Sequence, residues 1–198
     1  MQIVIASKNT GKIKEIKSFY HDLLKVEWLT FKDFKKFPDV KEKGNDFLEN
    51  ARLKARGISL YTNKITLADD SGLEVDFLKG EPGVKSSRYS GTDATDKQNR
   101  GKLLKEMENA RKISERAARF VCSMVLWDPE KGSIFETRGI CEGFIGFEEK
   151  GTGGFGYDCI FIPSGYKRTM AQLTQNEKNS ISHRGKALKA VYRFIVNL

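Results

Sequence analysis

Short apolar segments alternate with amphipathic ones in the first part of the chain. Ile3–Ala6 is a β-branched run that predicts a buried strand, and Val26–Phe31 predicts a second one. Between them, apolar residues recur near the helical period and predict a helix over about residues 11–24. These residues are Ile13, Ile16, Tyr20, Leu23 and Leu24. The first unit is therefore a strand, a polar loop and a helix.

The next segment predicts a helix followed by a strand. Asp46 and Glu49 have the spacing of a capping box. The apolar face of the predicted helix consists of Phe47, Ala51, Ala55 and Ile58. Ile65–Ala68 then predicts a short buried strand that ends at two adjacent acids, Asp69 and Asp70.

The second half has a stronger strand pattern. Residues 117–127 and 134–146 are rich in apolar and β-branched positions and flank a turn at 128–132, so they predict a long antiparallel hairpin. Helical periodicity is found from about Asp96 and again after Ser182. Helix-linked strands together with a long hairpin predict an α/β fold with a mixed sheet and flanking helices. We expect one domain over residues 1–198.

Composition and charge limit the possible partners. The apolar runs are far shorter than the roughly 20 residues of a membrane span, and no signal peptide is visible, so we expect no membrane partner and a cytoplasmic location. Three cysteines without a C-x-x-C spacing argue against a disulfide framework or a zinc site. The net charge of +9 fits a nucleic acid or a polyphosphate substrate equally well.

Two stretches predict charge-based chemistry. Asp69 and Asp70 repel each other at the end of a buried strand, and a cation between them would resolve that conflict. The loop at residues 7–12 precedes a helix, and loop amides with a helix N-terminus form an anion pocket to which Lys12 could add charge. A plain helix cap at Asn9 with a solvated Lys12 is the alternative. For Lys54 and Glu42, surface charge is the simple interpretation.

A glycine-rich stretch with two aromatics predicts a ligand-binding loop. Residues 151–158 contain four glycines, which let a backbone approach a ligand closely, and Phe155 and Tyr157 could stack on a flat base. Near the C-terminus, His183 and Arg184 fall in the first turn of the last helix. Positive residues there oppose the helix dipole, which makes more sense beside an acceptor-rich ligand.

Together these motifs resemble the Ham1/inosine triphosphate pyrophosphatase family. Four blocks in the same order carry the resemblance and span nearly the whole chain. They are Ala6–Lys12 with Glu15; Glu42–Gly44 with Phe47, Glu49–Ala51 and Lys54–Ala55; Ala68–Leu73 with Pro82–Val84 and Ser87–Tyr89; and Gly151–Asp158 with Lys178–Asn179 and Ser182–Arg184. The family fold is an elongated mixed α/β architecture with two lobes around a central cleft.

The resemblance implies an enzyme that hydrolyses ITP, dITP and XTP to the monophosphate and pyrophosphate, uses Mg²⁺ and forms a homodimer. It implies that Asp70 accepts the proton and that Glu42 and Asp70, with Asp69, hold the metal. It also implies a set of substrate-binding residues: Ser7, Lys8, Asn9, Thr10, Gly11, Lys12, Lys54, Ser71, Phe155, Gly156, Tyr157, Asp158, Lys178, His183 and Arg184. In this set Lys178, His183 and Arg184 would read the base edge.

The sequence departs from the family pattern at Cys159, Gln172 and Asp46, where proline, glutamate and threonine are usual, but no implied ligand or base is lost. One rival is a Maf-like nucleotide pyrophosphatase, against which the Ser182–Arg184 block and the glycine-rich loop argue. The other is a basic nucleic-acid-binding module. No RRM, KH or helix-turn-helix pattern supports it, so we expect no stable nucleic-acid partner.

Overall fold

The computed structural model describes residues 1–21 and 25–198. The strands in these ranges are β1 (Gln2–Ile5), β2 (Glu27–Leu29), β3 (Ile65–Val75), β4 (Ala117–Asp128), β5 (Gly132–Ile145) and β6 (Phe161–Pro163). The α-helices are α1 (Thr10–Phe19), α2 (Phe47–Thr62), α3 (Asp96–Glu106), α4 (Gln175–Ile181) and α5 (His183–Ile195).

The strands form one mixed sheet in the order β2-β1-β3-β4-β5-β6. In the parallel part, Ile3 lies opposite Trp28 of β2 and Ile65 of β3. At the other edge β5 and β6 are antiparallel, with Phe144 opposite Ile162. The adjacent strands β4 and β5 are joined by a short turn and form the predicted hairpin. The predicted α/β class with a mixed sheet is confirmed.

Several element boundaries differ from the prediction. Strand β3 does not end at the two acids but continues through them to Val75. Helix α1 ends at Phe19, and the predicted continuation at Leu23 and Leu24 lies outside the described residues. The sequence pattern also missed α4, which begins after a capping box formed by Thr174 and Glu177.

The chain divides into two compact units. Residues 1–70, 122–139 and 184–198 form the first unit, and residues 71–121 and 140–183 form the second. In the described part of the first unit, one apolar cluster surrounds Ile3, Leu67 and Leu188 and another surrounds Ala51 and Ala55. The apolar cluster of the second unit includes the fully buried side chain of Phe161. Two lobes around a cleft stay a prediction.

Helix α2 of the first unit begins at a cap that the sequence predicted. The Asp46 side chain caps the helix by accepting a hydrogen bond from the Glu49 N–H, as the spacing predicted. The Glu49 carboxylate accepts a hydrogen bond from the Asn45 N–H rather than from the Asp46 N–H that a capping box would use.

Among the described residues, no helix combines the length and apolarity that crossing a membrane requires.

Candidate active site

Asp69 and Asp70 lie side by side in the middle of β3, and both are buried. Successive residues of a strand point to opposite faces, so the two carboxylates meet different surroundings. The sequence predicted one cation shared between them at the end of a strand. In the structure each acid has its own protein cations, which explains how the strand can pass through both.

Asp69 is held between two basic side chains. Its Oδ2 lies 3.1 Å from Lys12 Nζ and 3.2 Å from Arg184 Nη2. Burial alone would raise the pKa of Asp69, but Lys12, Arg184 and Lys54 together hold it well below its usual value. Asp69 is therefore a permanent anion that holds together α1, β3 and the start of α5.

Asp70 has a different set of partners. Its Oδ1 accepts from Lys54 Nζ at 2.9 Å, and its Oδ2 accepts from Asn50 Nδ2 at 3.2 Å. Burial raises the pKa of Asp70 despite the nearby charges of Lys54 and Lys12, and Glu42 adds to the rise. A carboxylate with a raised pKa is a better proton acceptor than an ordinary aspartate.

Lys54 links Asp70 to the third acid of the sequence analysis. Its Nζ lies 3.3 Å from Glu42 Oε1, so Glu42 and Asp70 contact the same ammonium group. The side chain is buried on α2, so the alternative of a solvated surface lysine is wrong. Burial lowers the pKa of Lys54, but Asp70, Asp69 and Glu42 outweigh it and raise the pKa overall.

Glu42 and Asp70 are the candidate ligands of a small divalent cation. Magnesium binds through one or two carboxylates and keeps waters or substrate phosphates as its other ligands. Glu42 and Asp70 supply two carboxylates around one positive charge. No cluster of three or more His, Cys, Asp or Glu side chains suited to a metal is found in residues 1–21 and 25–198. A metal held by Glu42 and Asp70 would therefore take its remaining ligands from water or a bound phosphate.

The loop at residues 7–12 belongs to the same unit as these acids. Asn9 caps α1 by accepting from the Lys12 N–H at 3.0 Å, as the capping alternative predicted. Lys12, however, is not solvated, since its ammonium group contacts Asp69. Ser7 accepts from the Asn9 N–H at 3.1 Å. Residues 8–10 are exposed, and Gly11 and Lys12 are half-buried.

Arg184, predicted to read the base edge, is buried in the first unit. Its Nη1 donates to Glu15 of α1, while its Nε and Nη2 donate to Asp69. Burial would lower its pKa, but Asp69 and Glu15 raise it overall, so the guanidinium is fixed as a cation. Arg184 therefore joins two buried acids in the structure.

The second unit holds the predicted base-binding residues around the glycine-rich loop. Asp158 Oδ2 accepts from the Phe155 N–H at 2.9 Å and from Lys178 Nζ at 2.7 Å. Lys178 also lies 5.2 Å from the centroid of the Phe155 ring. Asp158, Lys178 and Tyr157 are buried, whereas Phe155 is half-buried. Phe155 is thus the more exposed of the two aromatic residues in this loop.

Other contacts fix the surroundings of this loop. The Tyr157 hydroxyl donates to the Ser86 carbonyl at 2.8 Å. His183 is buried and stacks on Phe120, with ring centroids 4.7 Å apart. Ser71, which follows Asp70 in β3, is half-buried. His183 and Ser71 belong to the second unit.

No role was assigned from the sequence to four residues that support these groups. Glu15 and Asn50 occur in the family motifs, whereas Asp96 and Arg100 do not. Glu15 and Asn50 are buried polar residues on the apolar faces of α1 and α2, and a polar residue within an apolar stripe was the available signal. Asp96 and Arg100 contact Gly156 from α3. The Gly156 N–H donates to Asp96 Oδ2 at 2.7 Å, and the Gly156 carbonyl accepts from Arg100 Nη1 at 2.9 Å. No feature of the sequence indicated these contacts.

The cysteines do not take part in this chemistry. Cys122 and Cys141 are buried, and Cys159 is partly buried. Burial raises the pKa of the Cys122 thiol to about 12, so it is protonated at neutral pH. The prediction of a small buried hydrophobe at Cys122 is confirmed.

Comparison with known proteins gives matches along nearly the whole chain. The Ham1 family profile matches residues 3–194. A dITP/XTP pyrophosphatase of Chlamydia abortus is 43% identical over 198 residues, covering 100% of this chain and 96% of that protein. The dITP/XTP pyrophosphatase of Desulforamulus reducens is 44% identical over 201 residues, covering 100% of this chain and 97% of its own length.

Solved structures agree with the sequence matches. The structure of a HAM1 protein from Coxiella burnetii has a TM-score of 0.89 and 39% identity, with 100% of both chains covered. The Staphylococcus aureus Ham1 protein has a TM-score of 0.87 and 38% identity, covering 100% of this chain and 99% of that one. The architecture and the sequence therefore lead to the same family.

Proposed function

This chain belongs to the Ham1 family, and we propose that it hydrolyses non-canonical purine nucleoside triphosphates, namely dITP, ITP and XTP, to the nucleoside monophosphate and pyrophosphate. The observation that carries the proposal is Asp70, a buried carboxylate with a raised pKa between Lys54 and Asn50. Full-length similarity to dITP/XTP pyrophosphatases supports the substrate class.

In the first unit the residues suit a polyphosphate. The exposed loop residues 8–10 lie at the N-terminus of α1, which favours phosphate oxygens, and Lys12 and Lys54 add positive charge. Hydrolysis of the bond between the α- and β-phosphates needs an activated water and neutralised charge. We assign Asp70 to take the proton of that water, because it is a buried carboxylate oriented by Lys54 and Asn50.

Glu42 and Asp70 would hold Mg²⁺. The ion, when bound, neutralises phosphate charge and lowers the pKa of bound water. Asp69 was also expected to contribute. Its Oδ2 contacts Lys12 and Arg184, so we assign it to the positioning of those cations.

In the second unit we assign the base to residues around Phe155. Its half-buried ring can stack on a purine, while Gly156 and Tyr157 shape the loop and Asp158 orients Lys178. Hypoxanthine and xanthine carry a carbonyl at C6, which accepts a hydrogen bond from donors such as Lys178 or His183. The amino group of adenine cannot accept one. We include Ser71 as a further substrate contact and assign Arg184 to structural support, because its donors are on Glu15 and Asp69.

Membership of the Ham1 family supports a further proposal about the assembly and location of the enzyme. We propose a cytoplasmic homodimer that acts on the free nucleotide pool and has no stable nucleic-acid partner. Sedimentation of the purified chain tests the dimer. Tight, salt-sensitive binding to RNA or DNA without pyrophosphate release would instead favour a nucleic-acid-binding protein.

The test of the reaction is pyrophosphate release from dITP, XTP and dTTP, with Mg²⁺ and with an excess of chelator. We expect release from dITP and XTP that stops in chelator, with the monophosphate as the other product. Equal release from dTTP would favour a Maf-like enzyme, and release of orthophosphate would contradict cleavage between the α- and β-phosphates.

A further inference from the structure

The side-chain amide of Asn50 uses both of its ends inside the first unit. Asn50 is the fourth residue of α2 and is completely buried. Its Oδ1 accepts from the Gly44 N–H at 2.8 Å, and its Nδ2 donates to Asp70 Oδ2 at 3.2 Å. One amide therefore joins the loop that carries Glu42 to the acid in β3.

The loop can reach this amide only because residue 44 is glycine. A Cβ on Gly44 would lie 2.7 Å from Glu49 Cβ and 2.8 Å from Asn50 Oδ1. Real Cβ atoms do not approach other atoms so closely, so a side chain would push the loop away from α2. Glu42 lies two residues earlier in the same loop and would move with it.

Lys54 repeats this connection one helical turn later. Residues four apart on a helix lie on the same face, so Asn50 and Lys54 both point at Asp70. Lys54 contacts Asp70 Oδ1 at 2.9 Å and Glu42 Oε1 at 3.3 Å. Each oxygen of Asp70 thus has a donor from α2, which fixes the plane of the carboxylate.

We propose that Asn50 is a positioning residue that holds the carboxylates of Asp70 and Glu42 in register for catalysis. This inference rests on the proposed function of Asp70 and Glu42. Holding reacting groups in place contributes to the rate, and a displacement of about 1 Å can cost about 100-fold. The loss should appear in kcat rather than in KM, because Asn50 is not among the groups assigned to the triphosphate, which are residues 7–12 and Lys54.

Asn99 provides a matched control in the second unit. It is also buried and is the fourth residue of its helix, α3. Its Oδ1 accepts from the Ser90 N–H at 2.8 Å, and its Nδ2 donates to the Ser87 carbonyl at 3.1 Å. It makes the same bridge as Asn50, but to a backbone carbonyl instead of a carboxylate.

The experiment compares Asn50→Asp with Asn99→Asp. Aspartate at position 50 can still accept from the Gly44 N–H, but it turns an acceptor toward Asp70. We expect kcat for dITP to fall by about 100-fold, with KM changed by less than about threefold. We expect Asn99→Asp to change kcat by less than about threefold. If Asn50 had a merely structural role like that of Asn99, both variants would have lower melting temperatures and their kcat values would change to the same extent.

Asn50→Ser extends the test to a smaller, neutral side chain in case Asn50→Asp does not fold. An unchanged kcat in a folded Asn50→Ser protein, or an equal loss of kcat in Asn99→Asp, would overturn the inference. Failure of wild type to hydrolyse dITP would instead overturn the proposed function. In that case, crystal structures of wild type and Asn50→Ser decide the inference. A displaced Asp70 carboxylate in the variant supports it, and an unmoved one overturns it.

Discussion

Removal of Arg184 should destabilise the fold far more than removal of an exposed arginine. The guanidinium is buried and donates to Glu15 and Asp69, which are themselves buried. Arg184→Met keeps much of the apolar stem but removes the charge that both acids face. Asp69 retains its contact with Lys12 at 3.1 Å, so Lys12 partly compensates Asp69 for the loss of the Arg184 charge.

The size of the effect follows from burial. Removing one partner of a buried ion pair costs about 3–5 kcal/mol, because the remaining charge stays away from water. For a chain of this length each kcal/mol lowers the melting temperature by about 2–4 °C, so we expect a fall of roughly 6–20 °C. Arg52 is the control. Its bidentate pair with Glu136 is exposed, and such a pair contributes about 0–1 kcal/mol.

Thermal unfolding followed by circular dichroism measures both variants. The double variant Arg184→Met with Glu15→Gln should lose less than the sum of the two single losses, because the buried acid is then neutral. A fall for Arg184→Met no larger than that for Arg52→Met, or strict additivity in the double variant, would refute the reasoning.

Three further predictions concern chemistry, loop geometry and acid stability. Asp70→Asn should lower kcat by about 10²–10⁴-fold while nucleotide binding by calorimetry is kept; a near wild-type rate would contradict its role as base. Gly154→Ala should raise the KM for dITP more than Gly156→Ala. The backbone strain of a positive φ is common to both positions. The Cβ at position 154 would also lie 2.0 Å from Asp158 Oδ2, whereas the space at Gly156 is open, so equal KM values would count against a role for Asp158. Hydrogen bonds from the Thr174 N–H and Arg168 lower the pKa of Glu177 from 4.5 to about 2. The ionised Glu177 side chain therefore stabilises the fold above pH 4.5, and this stabilisation is lost as the pH falls toward about 2. The melting temperature of Glu177→Gln should therefore depend less on pH in that window than that of wild type, and identical profiles would exclude the effect.

Local patterns were enough to predict most of the fold. Apolar periodicity located α2 and the β4–β5 hairpin, because each buries a continuous face of its own, and it also located α3. The Asp46 cap could be predicted because its partner, the Glu49 N–H, is only three residues away. Helix α4 was missed because its few residues offer little apolar pattern.

The charged groups could be predicted only in part. The sequence identified Asp69 and Asp70, but it placed them at the end of a strand because the apolar run stops at Ala68 and neighbouring residues offer no compensating charge. The compensation comes from Lys12, Lys54 and Arg184, which are distant in sequence. Pairings of this kind depend on the completed fold, so no local pattern could reveal that Arg184 is buried between acids.

The ratio of kcat/KM for dITP to that for dATP tests the central claim most directly. The two nucleotides differ in the hydrogen-bonding groups of the purine around C6, so triphosphate and sugar contacts cancel. A site that donates a hydrogen bond to a C6 carbonyl should favour dITP by more than about 100-fold, since a buried polar mismatch at this position can cost about 10⁴-fold. Comparable kcat/KM values for dITP and dATP would contradict the proposal that this chain selects deaminated purines.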